Sequence, residues 1–491
     1  MTVTIDEIGR EDEAFRVEHR GIDYIPEQDR WATPRDLFGM WAGASVQFEY
    51  LVYGAVLMTF GFTFGQAVLL ILVGNISYLL LGLCSLQGPD AGTTAFMINR
   101  ASFGPNGSRL IALFNWMTQV GFEAEGLILV VFGGLALASK AGYHPGTPLK
   151  VVLIVAAACV QTVLPFLGYA TVVKVLRVMA VPFVALYVVL AVLTLGKANP
   201  GSIHHGANWQ TMMGGLAFTI ALTGLGWVES GNDFSRYLSP GARKPSIVGW
   251  IFAGAAVPQT LLMLLGAAVA TYVQIDSKDP FNSFPHAFSG WFLVPFFIVV
   301  IIQLFAINSM DLYSSGVTLQ ALGVPIKRWN AVIIDTVIGG GITAYAVFSA
   351  GFSTLLNDFV AAVIAWIAPW MAIFLVDWVL RRRRYVPWEL QRADRGGLYW
   401  RSGGVHWRAI VAQVLGTVAS VLAFNQEFYV GPFARLFGGG GADFSVFTGI
   451  LVGGLTYFVL SAGTVRREAG MQDELLIAGP GEQEHQPSYT L

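Results

Sequence analysis

The sequence has 491 residues, of which 55% are hydrophobic and 12% are charged, and its formal net charge is −2. Soluble domains carry about 25% charged residues. The composition therefore excludes an ordinary soluble protein and indicates a helical protein of the lipid bilayer. The charge balance gives no indication of a nucleic-acid partner. Cys84 and Cys159 lie within apolar segments, so no disulfide framework is predicted.

Twelve apolar segments follow one another along the chain, and each approaches the roughly 20 residues that a helix needs to cross a bilayer. They predict an all-α integral membrane protein with twelve transmembrane helices. Only residues 166–169 separate the fourth segment from the fifth, which makes this boundary the least distinct. The segments are residues 38–60, 65–86, 109–137, 150–168, 170–196, 210–230, 247–274, 291–313, 330–349, 354–380, 406–424 and 444–463.

Arginine and lysine are concentrated in alternate loops, on the side of the N-terminus, and the densest run is at residues 381–384. Cytoplasmic loops carry this excess. Because the number of segments is also even, both termini are predicted to be cytoplasmic in a multi-pass protein of the cell membrane. The predicted parts are a tail, two five-helix units, a basic loop with two further helices, and a second tail. Their ranges are 1–34, 35–200, 201–380, 381–465 and 466–491.

The first segment contains a poor stretch of lipid-facing helix at residues 43–47, Gly-Ala-Ser-Val-Gln. This stretch offers small residues for close backbone approach and backbone carbonyls that are candidates to face a cation. A helix crossing built on small residues would explain Gly43 and the following alanine. It would not explain Gln47 or Glu49, and Phe48 between them is a candidate stacking residue.

The third segment places Trp116, Gln119 and Glu123 on one helical face, because their spacing is three and then four residues. Glu125 points about 200° away from Glu123. Two acids at one depth of a bilayer are costly to ionise together, so at least one is expected to hold a proton near neutral pH. Proton-coupled transport requires such a group. The alternative is a neutral, hydrogen-bonded glutamic acid that fixes neighbouring helices.

The sixth segment departs most strongly from a lipid-facing helix. Gly224 and Gly226 loosen the helix, Trp227 follows them, and Glu229 and Asp233 add carboxyl groups. Backbone in a membrane leaves a regular helix only where protein or a water-filled cavity receives its polar groups. A glycine-interrupted span therefore indicates a binding site. The alternative is a helix that ends at Gly226, with its acids in a cytoplasmic loop.

The eighth segment carries Asn308 and Asp311, three residues apart. Asp377, near the end of the tenth segment, is expected to pair with one of the arginines that follow. Three isolated polar residues of the apolar segments are interpreted as structural. They are Asn75, Asp335 and Asp358.

All seven histidines lie in loops, in tails or at the edge of a segment, so no metal cluster is expected inside the membrane. No Ser-His-Asp arrangement, phosphate-binding loop or dinucleotide-binding motif is visible. The chain is therefore predicted not to be an enzyme and to need no cofactor or metal.

The polar and interrupted segments recur five places apart, since the first resembles the sixth and the third resembles the eighth. This offset predicts two five-helix units. An odd number of crossings in each unit would insert the second upside down, as an inverted repeat.

Three motifs resemble the nucleobase–cation symporter-1 family, and most closely its purine–cytosine permease branch. They are residues 92–104 (GTTAFMINRASFG) with 106–108 (NGS), residues 232–237 (NDFSRY) and residues 308–316 (NSMDLYSSG). The resemblance extends over roughly residues 20–465. It implies the leucine-transporter fold, a 5+5 inverted repeat with helices 1 and 6 broken, and a substrate between helices 1, 3, 6 and 8. Family substrates are flat heterocycles such as cytosine, purines, uracil, allantoin and hydantoins, which aromatic rings sandwich.

The family pattern in helix 3 is similar to Trp-Phe-Gly-x-Gln, where this chain has Gln119-Val-Gly121-Phe-Glu123. The resemblance implies that Glu123 takes the base-reading place and that Gln119 replaces the expected tryptophan. The family's sodium site would use the carbonyls of Gly43 and Val46 together with two hydroxyl groups of helix 8. Those two positions are residues 306–307, Ala-Ile, without side-chain oxygens, so a proton coupled through Glu123 is expected in preference to sodium.

The predicted function is a secondary active transporter that imports a nucleobase-like heterocycle with a proton by alternating access. The alternatives are a sodium-coupled symporter of the same substrates, an amino-acid or amine transporter of the same fold and, least favoured, a non-transporting membrane receptor. The predicted substrate-binding residues are Gln47, Phe48, Trp116, Gln119, Glu123, Gly224, Gly226, Trp227 and Asn308. The predicted ion-coupling residues are Glu123, Gly43 and Val46.

Overall fold

The computed structural model describes residues 21–479 apart from residues 145, 163–168, 203–204, 277–282, 285–287, 289 and 324–327. The described chain is almost entirely α-helical. Two strands of two residues each, β1 (Asn425–Gln426) and β2 (Tyr429–Val430), pair in an antiparallel hairpin. The mostly helical architecture that the sequence predicts is confirmed.

The helices are numbered in chain order. They are α1 (Pro34–Ser45), α2 (Phe48–Met58), α3 (Phe64–Asn75), α4 (Tyr78–Cys84), α5 (Gly88–Ala91), α6 (Ala95–Phe103), α7 (Pro105–Lys140), α8 (Thr147–Gln161), α9 (Tyr169–Leu195), α10 (Trp209–Leu222), α11 (Gly231–Ser235), α12 (Lys244–Ala270), α13 (Gly290–Leu322), α14 (Arg328–Tyr345), α15 (Phe352–Leu380), α16 (Pro387–Gln391), α17 (Trp407–Leu422), α18 (Pro432–Arg435) and α19 (Ser445–Ala478). Turns of 3₁₀-helix lie at Glu27–Asp29, Ser85–Gln87, Leu225–Trp227 and Ser402–Gly404, and a π-helical turn lies at Ala346–Ala350.

Nine helical stretches of the described chain are long and apolar enough to cross a bilayer. Three shorter apolar helices accompany them, at Phe48–Met58, Thr147–Gln161 and Val181–Leu195. The predicted boundary between the fourth and fifth segments begins within residues 163–168, which lie outside the described residues. The multi-pass membrane architecture is confirmed, whereas the count of twelve crossings stays a prediction.

Helix α2 lies directly against α12 because glycine leaves room for backbone contact. A Cβ atom added to Gly54 would lie 1.9 Å from the carbonyl oxygen of Met263, and one added to Gly266 would lie 1.9 Å from that of Leu51. Small residues permit this close approach of helices in a membrane. The N-terminal part of the chain is thereby fixed against α12.

Helices α7 and α13 pack along each other and supply many of the buried polar side chains. Glycine again sets the distance, because a Cβ atom at Gly126 would lie 2.0 Å from Oδ1 of Asn308. Further along the same interface, Asn115 donates a hydrogen bond of 2.9 Å to the hydroxyl of Thr318. The two helices are therefore joined by polar contacts as well as by close packing.

A buried ion-pair cluster joins α15, α19 and the loop between α15 and α17. Arg381 contacts Asp377 and Glu468, each at 2.8 Å, and Arg401 also pairs with Glu468. The predicted pairing of Asp377 with a nearby arginine is confirmed. Burial alone would lower the pKa of Arg381, but the two carboxylates raise it well above its usual range. The guanidinium therefore stays charged and holds the two helices together.

Substitution of Glu468 by alanine is expected to destabilise the protein, because it leaves the buried Arg381 with one carboxylate fewer. Breaking a buried ion pair costs about 3–5 kcal/mol. The control is Arg382→Ala, which removes an exposed pair with Asp473 and is expected to cost about 1 kcal/mol or less. Thermal unfolding in detergent measures both variants, and equal unfolding midpoints would contradict a stabilising role for the cluster.

Candidate functional site

The junction between α1 and α2 is the first place where backbone polar groups leave a helix. Helix α1 ends at Ser45, and Gln47 has an extended conformation with φ −138° and ψ 155° before α2 begins. The side chain of Gln303, on α13, donates to the carbonyl of Val46 and accepts a hydrogen bond of 3.1 Å from the amide of Phe48. One amide side chain thus satisfies both sides of the junction.

A tyrosine holds Gln303 in place, since the hydroxyl of Tyr187 on α9 donates to the same Oε1 atom at 2.7 Å. The carbonyl of Val46, a predicted cation ligand, therefore accepts from an amide group. Gly43 lies within α1, and Phe48 is fully buried with its ring edge-on to Phe296 at 5.7 Å. These contacts make the junction a packed, hydrogen-bonded structure.

The end of α10 is the second interruption. Thr223 has a non-helical conformation with φ −115° and ψ −116°, and a short 3₁₀ turn follows. The hydroxyl of Ser77 accepts a hydrogen bond of 3.0 Å from the amide of Gly224. A Cβ atom at Gly224 would lie 2.1 Å from the carbonyl carbon of Ser77. Glycine is therefore required here for close contact with the start of α4.

The two interruptions are connected through Trp227. Its indole Nε1 donates a hydrogen bond of 2.9 Å to the hydroxyl of Tyr50 on α2. The ring also packs edge-on against Trp41 of α1, with 5.7 Å between the centroids. Trp227 is consequently oriented by both helices of the first junction.

Phe122 of α7 and Trp227 form the main aromatic feature of the site, termed the aromatic pair. Their rings are nearly parallel, at an interplanar angle of 10°, with centroids 6.5 Å apart, and both are partly exposed. A Cβ atom at Gly226 would lie 3.3 Å from Cζ of Phe122. Since carbon atoms pack at about 3.5–4.0 Å, two rings that hold a flat ring between them need about 7 Å or slightly more.

Two residues of the predicted face of α7 bond to different parts of the chain. Trp116 donates to Oδ1 of Asp335 on α14 at 2.8 Å, and Gln119 donates to Oε1 of Glu229 at 3.1 Å. Gln119 therefore faces the segment after α10, on the side of the aromatic pair. Trp116 is engaged with α14, so Asp335 is a hydrogen-bonded structural residue rather than an isolated one.

Glu123 and Asn308 belong to a separate amide network. Gln161 of α8 donates to Oε1 of Glu123 at 2.7 Å. Asn308 donates to the backbone carbonyl of Glu123 at 3.1 Å and to Oε1 of Gln161 at 3.2 Å. Glu123 is fully buried. This network joins α7, α8 and α13, and it fits the alternative in which Glu123 fixes neighbouring helices.

Three other carboxyl groups meet at the interface of α2, α7 and α13. Glu49, Glu125 and Asp311 interact electrostatically, and each has less than a tenth of its surface exposed. The phenol of Tyr53 faces Glu125 from α2. Over the described residues, no group of three or more acidic, histidine or cysteine side chains is arranged to hold a metal ion.

A cavity of about 930 Å³ lies beside this interface, between α7, α14 and α15. Its walls include Gly121 and Glu125 of α7, Ile342 of α14, and Phe359 and Trp366 of α15. Phe359 also packs edge-on against the phenylalanine of the aromatic pair, with 4.8 Å between the centroids. Phe359 therefore lies between the cavity and the aromatic pair, and Glu125 forms part of the cavity wall.

The sequence did not identify Phe122 or the role of Gln303. Phe122 stands next to Gly121 inside the helix 3 motif, and Gln303 is an isolated amide in an otherwise apolar stretch. These signals are present, but they do not show which face of α7 or α13 meets the interruptions.

A family model described as "Permease for cytosine/purines, uracil, thiamine, allantoin" matches residues 24–446. The chain belongs to this permease family. The resemblance drawn from the three motifs is therefore confirmed. Relatives of the permease are transporters and not enzymes, as the sequence predicts.

Several relatives align over most of the permease. YxlA of Bacillus subtilis, provisionally named a purine-cytosine permease, is 28% identical over 94% of this chain and 99% of its own. The purine-cytosine permease FCY2 of Saccharomyces cerevisiae is 24% identical over 88% of this chain and 83% of its own. The cytosine permease of Escherichia coli is 26% identical over 73% of this chain and 79% of its own.

The solved structures of Mhp1 have the same fold. Mhp1 is a nucleobase-cation-symport-1 family transporter, and its closed conformation with bromovinylhydantoin bound superimposes with a TM-score of 0.71 at 18% identity. The superposition covers 95% of the permease and 98% of Mhp1. The inward-facing conformation of Mhp1 gives a TM-score of 0.72, and this superposition covers 95% of the permease and 96% of Mhp1. The permease therefore has the leucine-transporter-like fold that the resemblance implies.

Substitution of Gln303 by leucine is expected to destabilise the permease, because it leaves the Val46 carbonyl and the Phe48 amide without their partner. Each unsatisfied buried group costs about 1–3 kcal/mol. Tyr187→Phe, which removes a single neutral hydrogen bond, is expected to cost about 1 kcal/mol. Unfolding midpoints in detergent are expected to fall in the order wild type, Tyr187→Phe, Gln303→Leu. A Gln303→Leu midpoint equal to that of the wild type would show that the junction does not depend on this amide.

Proposed function

We propose that the permease is a secondary active transporter that imports a nucleobase or related flat heterocycle, of the cytosine, purine or allantoin type, together with a proton. Transport takes place by alternating access. The proposal includes twelve crossings in a 5+5 inverted repeat, with its first and sixth helices broken, and two cytoplasmic termini. The apolar helices, the family match and the fold of Mhp1 support it.

The substrate class is inferred from the aromatic pair. Two nearly parallel rings with centroids 6.5 Å apart present flat faces on which a planar ring can stack at about 3.5–4.0 Å. Flat heterocycles have two π faces and gain from such stacking, whereas aliphatic amino acids do not. Mhp1 has been solved with a hydantoin derivative bound, which is also a flat heterocycle.

The polar edge of the substrate would meet groups around the two interruptions. Gln47 is almost fully buried and its Oε1 atom receives no hydrogen bond from the described residues. Gln119 and Glu229 form a bonded pair on the same side as the aromatic pair. An amide that can donate and accept suits the mixed edge of a nucleobase. Five further residues that the sequence predicts to bind substrate are proposed here to support the site instead: Phe48, Trp116, Gly224, Gly226 and Asn308.

The coupling ion is proposed to be a proton. Gln303 donates to the carbonyl of Val46, where a cation would otherwise be expected, and Ala306 and Ile307 offer no side-chain oxygen. A sodium ion needs several oxygen ligands. Glu123 is the predicted coupling residue. We propose instead that its hydrogen bonds hold α7, α8 and α13 together beside the site. Sodium-coupled symport of the same substrates remains the rival within this class.

A cationic amine is the second candidate substrate. The observation that favours it is the group of three buried carboxyls, Glu49, Glu125 and Asp311, because a bound ammonium group would compensate their charge. The aromatic pair favours the heterocycle more strongly, since a small amine has no flat surface to stack.

Uptake of radiolabelled cytosine, adenine and allantoin into proteoliposomes tests the proposed function. At least one heterocycle is expected to accumulate when a pH gradient, acidic outside, is imposed. A sodium gradient alone is expected to cause no accumulation, because Gln303 already donates to the carbonyl of Val46. A labelled amine serves as the competing substrate. Failure of every heterocycle to accumulate under either gradient would contradict the proposal.

Substitution of Phe122 by alanine is expected to weaken heterocycle binding, because it removes one wall of the aromatic pair. Stacking of a base on an aromatic side chain contributes about 1–3 kcal/mol, which corresponds to about a 5- to 150-fold rise in Kd. Phe447→Ala, which truncates an exposed phenylalanine of α19, is the control and is expected to leave Kd unchanged. Equal Kd values for both variants in a binding titration would argue against the aromatic pair.

A further inference from the structure

Glu125 has unusual surroundings for a carboxyl group inside a membrane protein. It forms part of the wall of the 930 Å³ cavity, and only 5% of the residue is exposed. Neither Oε1 nor Oε2 receives a well-formed hydrogen bond from the described residues. The phenol of Tyr53 is close enough to interact with the carboxyl group without forming such a bond. Glu125 is therefore buried, adjacent to open space and poorly satisfied.

Glu123, two residues earlier on the same helix, differs in its hydrogen bonding and in its position relative to the cavity. Its Oε1 atom accepts a hydrogen bond of 2.7 Å from Gln161, and it is fully buried away from the cavity. About 200° of rotation separates the two side chains around α7. One acid is thus fixed by an amide network, while the other faces a cavity.

The titratable groups that face Glu125 are acids and phenols. Glu49 and Tyr53 face it from α2, Asp311 faces it from α13, and Asp358 of α15 lies on the cavity wall. The described lining of the cavity contains no lysine, arginine or histidine. An isolated ionised carboxylate is very costly in an apolar environment, so the group is neutralised by a proton unless water or a donor reaches it.

We propose that Glu125 is the proton carrier of the permease. Its carboxyl group takes a proton from water on the outer side, holds it while the site is closed, and releases it to water on the cytoplasmic side. Burial in apolar surroundings favours the protonated form while the site is closed, and entering water stabilises the carboxylate and permits release. This proposal rests on the proposed function, since it assigns the coupling step of that transport cycle.

The test compares Glu125→Gln with the wild type in proteoliposomes. Glutamine resembles the protonated acid in shape and charge but cannot release a proton. Exchange of labelled for unlabelled heterocycle without a pH gradient is expected to continue in the variant. Accumulation driven by the pH gradient is expected to be lost. Accumulation by Glu125→Gln at the wild-type level under the pH gradient would overturn the proposal.

Two matched variants separate Glu125 from the other acids. Glu123→Gln is the same change two residues away, and Asp358→Asn removes an exposed carboxyl group from the same cavity. Both are expected to retain accumulation that depends on the pH gradient. Loss of this dependence in Glu123→Gln, with its retention in Glu125→Gln, would assign the proton to Glu123 instead. If the wild type exchanges no heterocycle at all, the proposed function itself is wrong.

Tyr53→Phe keeps every carboxyl group and gives a second test that does not depend on the folding of Glu125→Gln. Loss of this polar neighbour, which has no well-formed hydrogen bond to the carboxyl group, corresponds to a shift of up to about 1 pH unit. The pH at which uptake is half-maximal is expected to rise by this amount relative to the wild type, because the phenol favours the ionised carboxyl group. An unchanged pH profile in Tyr53→Phe would contradict the role of Glu125.

Discussion

The backbone groups freed at the two helix interruptions must find partners inside the protein, because lipid offers them none. Gln303 satisfies the carbonyl of Val46 and the amide of Phe48, and Ser77 satisfies the amide of Gly224. These few bonds fix α13 and α4 against the ends of α1 and α10. The position of the aromatic pair depends on them, since its indole belongs to the turn that follows α10 and bonds to α2.

Helix α7 then presents two different environments on its opposite faces. One face carries Glu123 into an amide network with Gln161 and Asn308, which ties α7 to α8 and α13. The other face presents Glu125 to a cavity and to two further acids. The hydrogen bonds of Glu123 hold the helices together, whereas the proposed proton carrier Glu125 has no such bonds among the described residues to break when it exchanges a proton. The spacing of two residues on one helix supplies both environments.

Much of the fold follows from local sequence patterns. Apolar segment lengths locate the helices, small and polar residues locate the ends of α1 and α10, and the charge pattern anticipates the pairing of Asp377 with an arginine. The contacts of the site depend on how the helices are rotated against one another. A spacing of three and four residues shows that Trp116 and Glu123 share a face, but not that this face meets Asp335 and Gln161. The parallel arrangement of the aromatic pair also arises only when α7 and the turn after α10 come together.

A cryo-electron microscopy structure of the permease with bound cytosine or adenine would show directly where the substrate binds. The base is expected to lie between Phe122 and Trp227, with the centroids of the two rings moved from 6.5 Å to about 7 Å or slightly more. A base bound beside Trp116 and Glu123, with the aromatic pair still 6.5 Å apart, would contradict the stacking site.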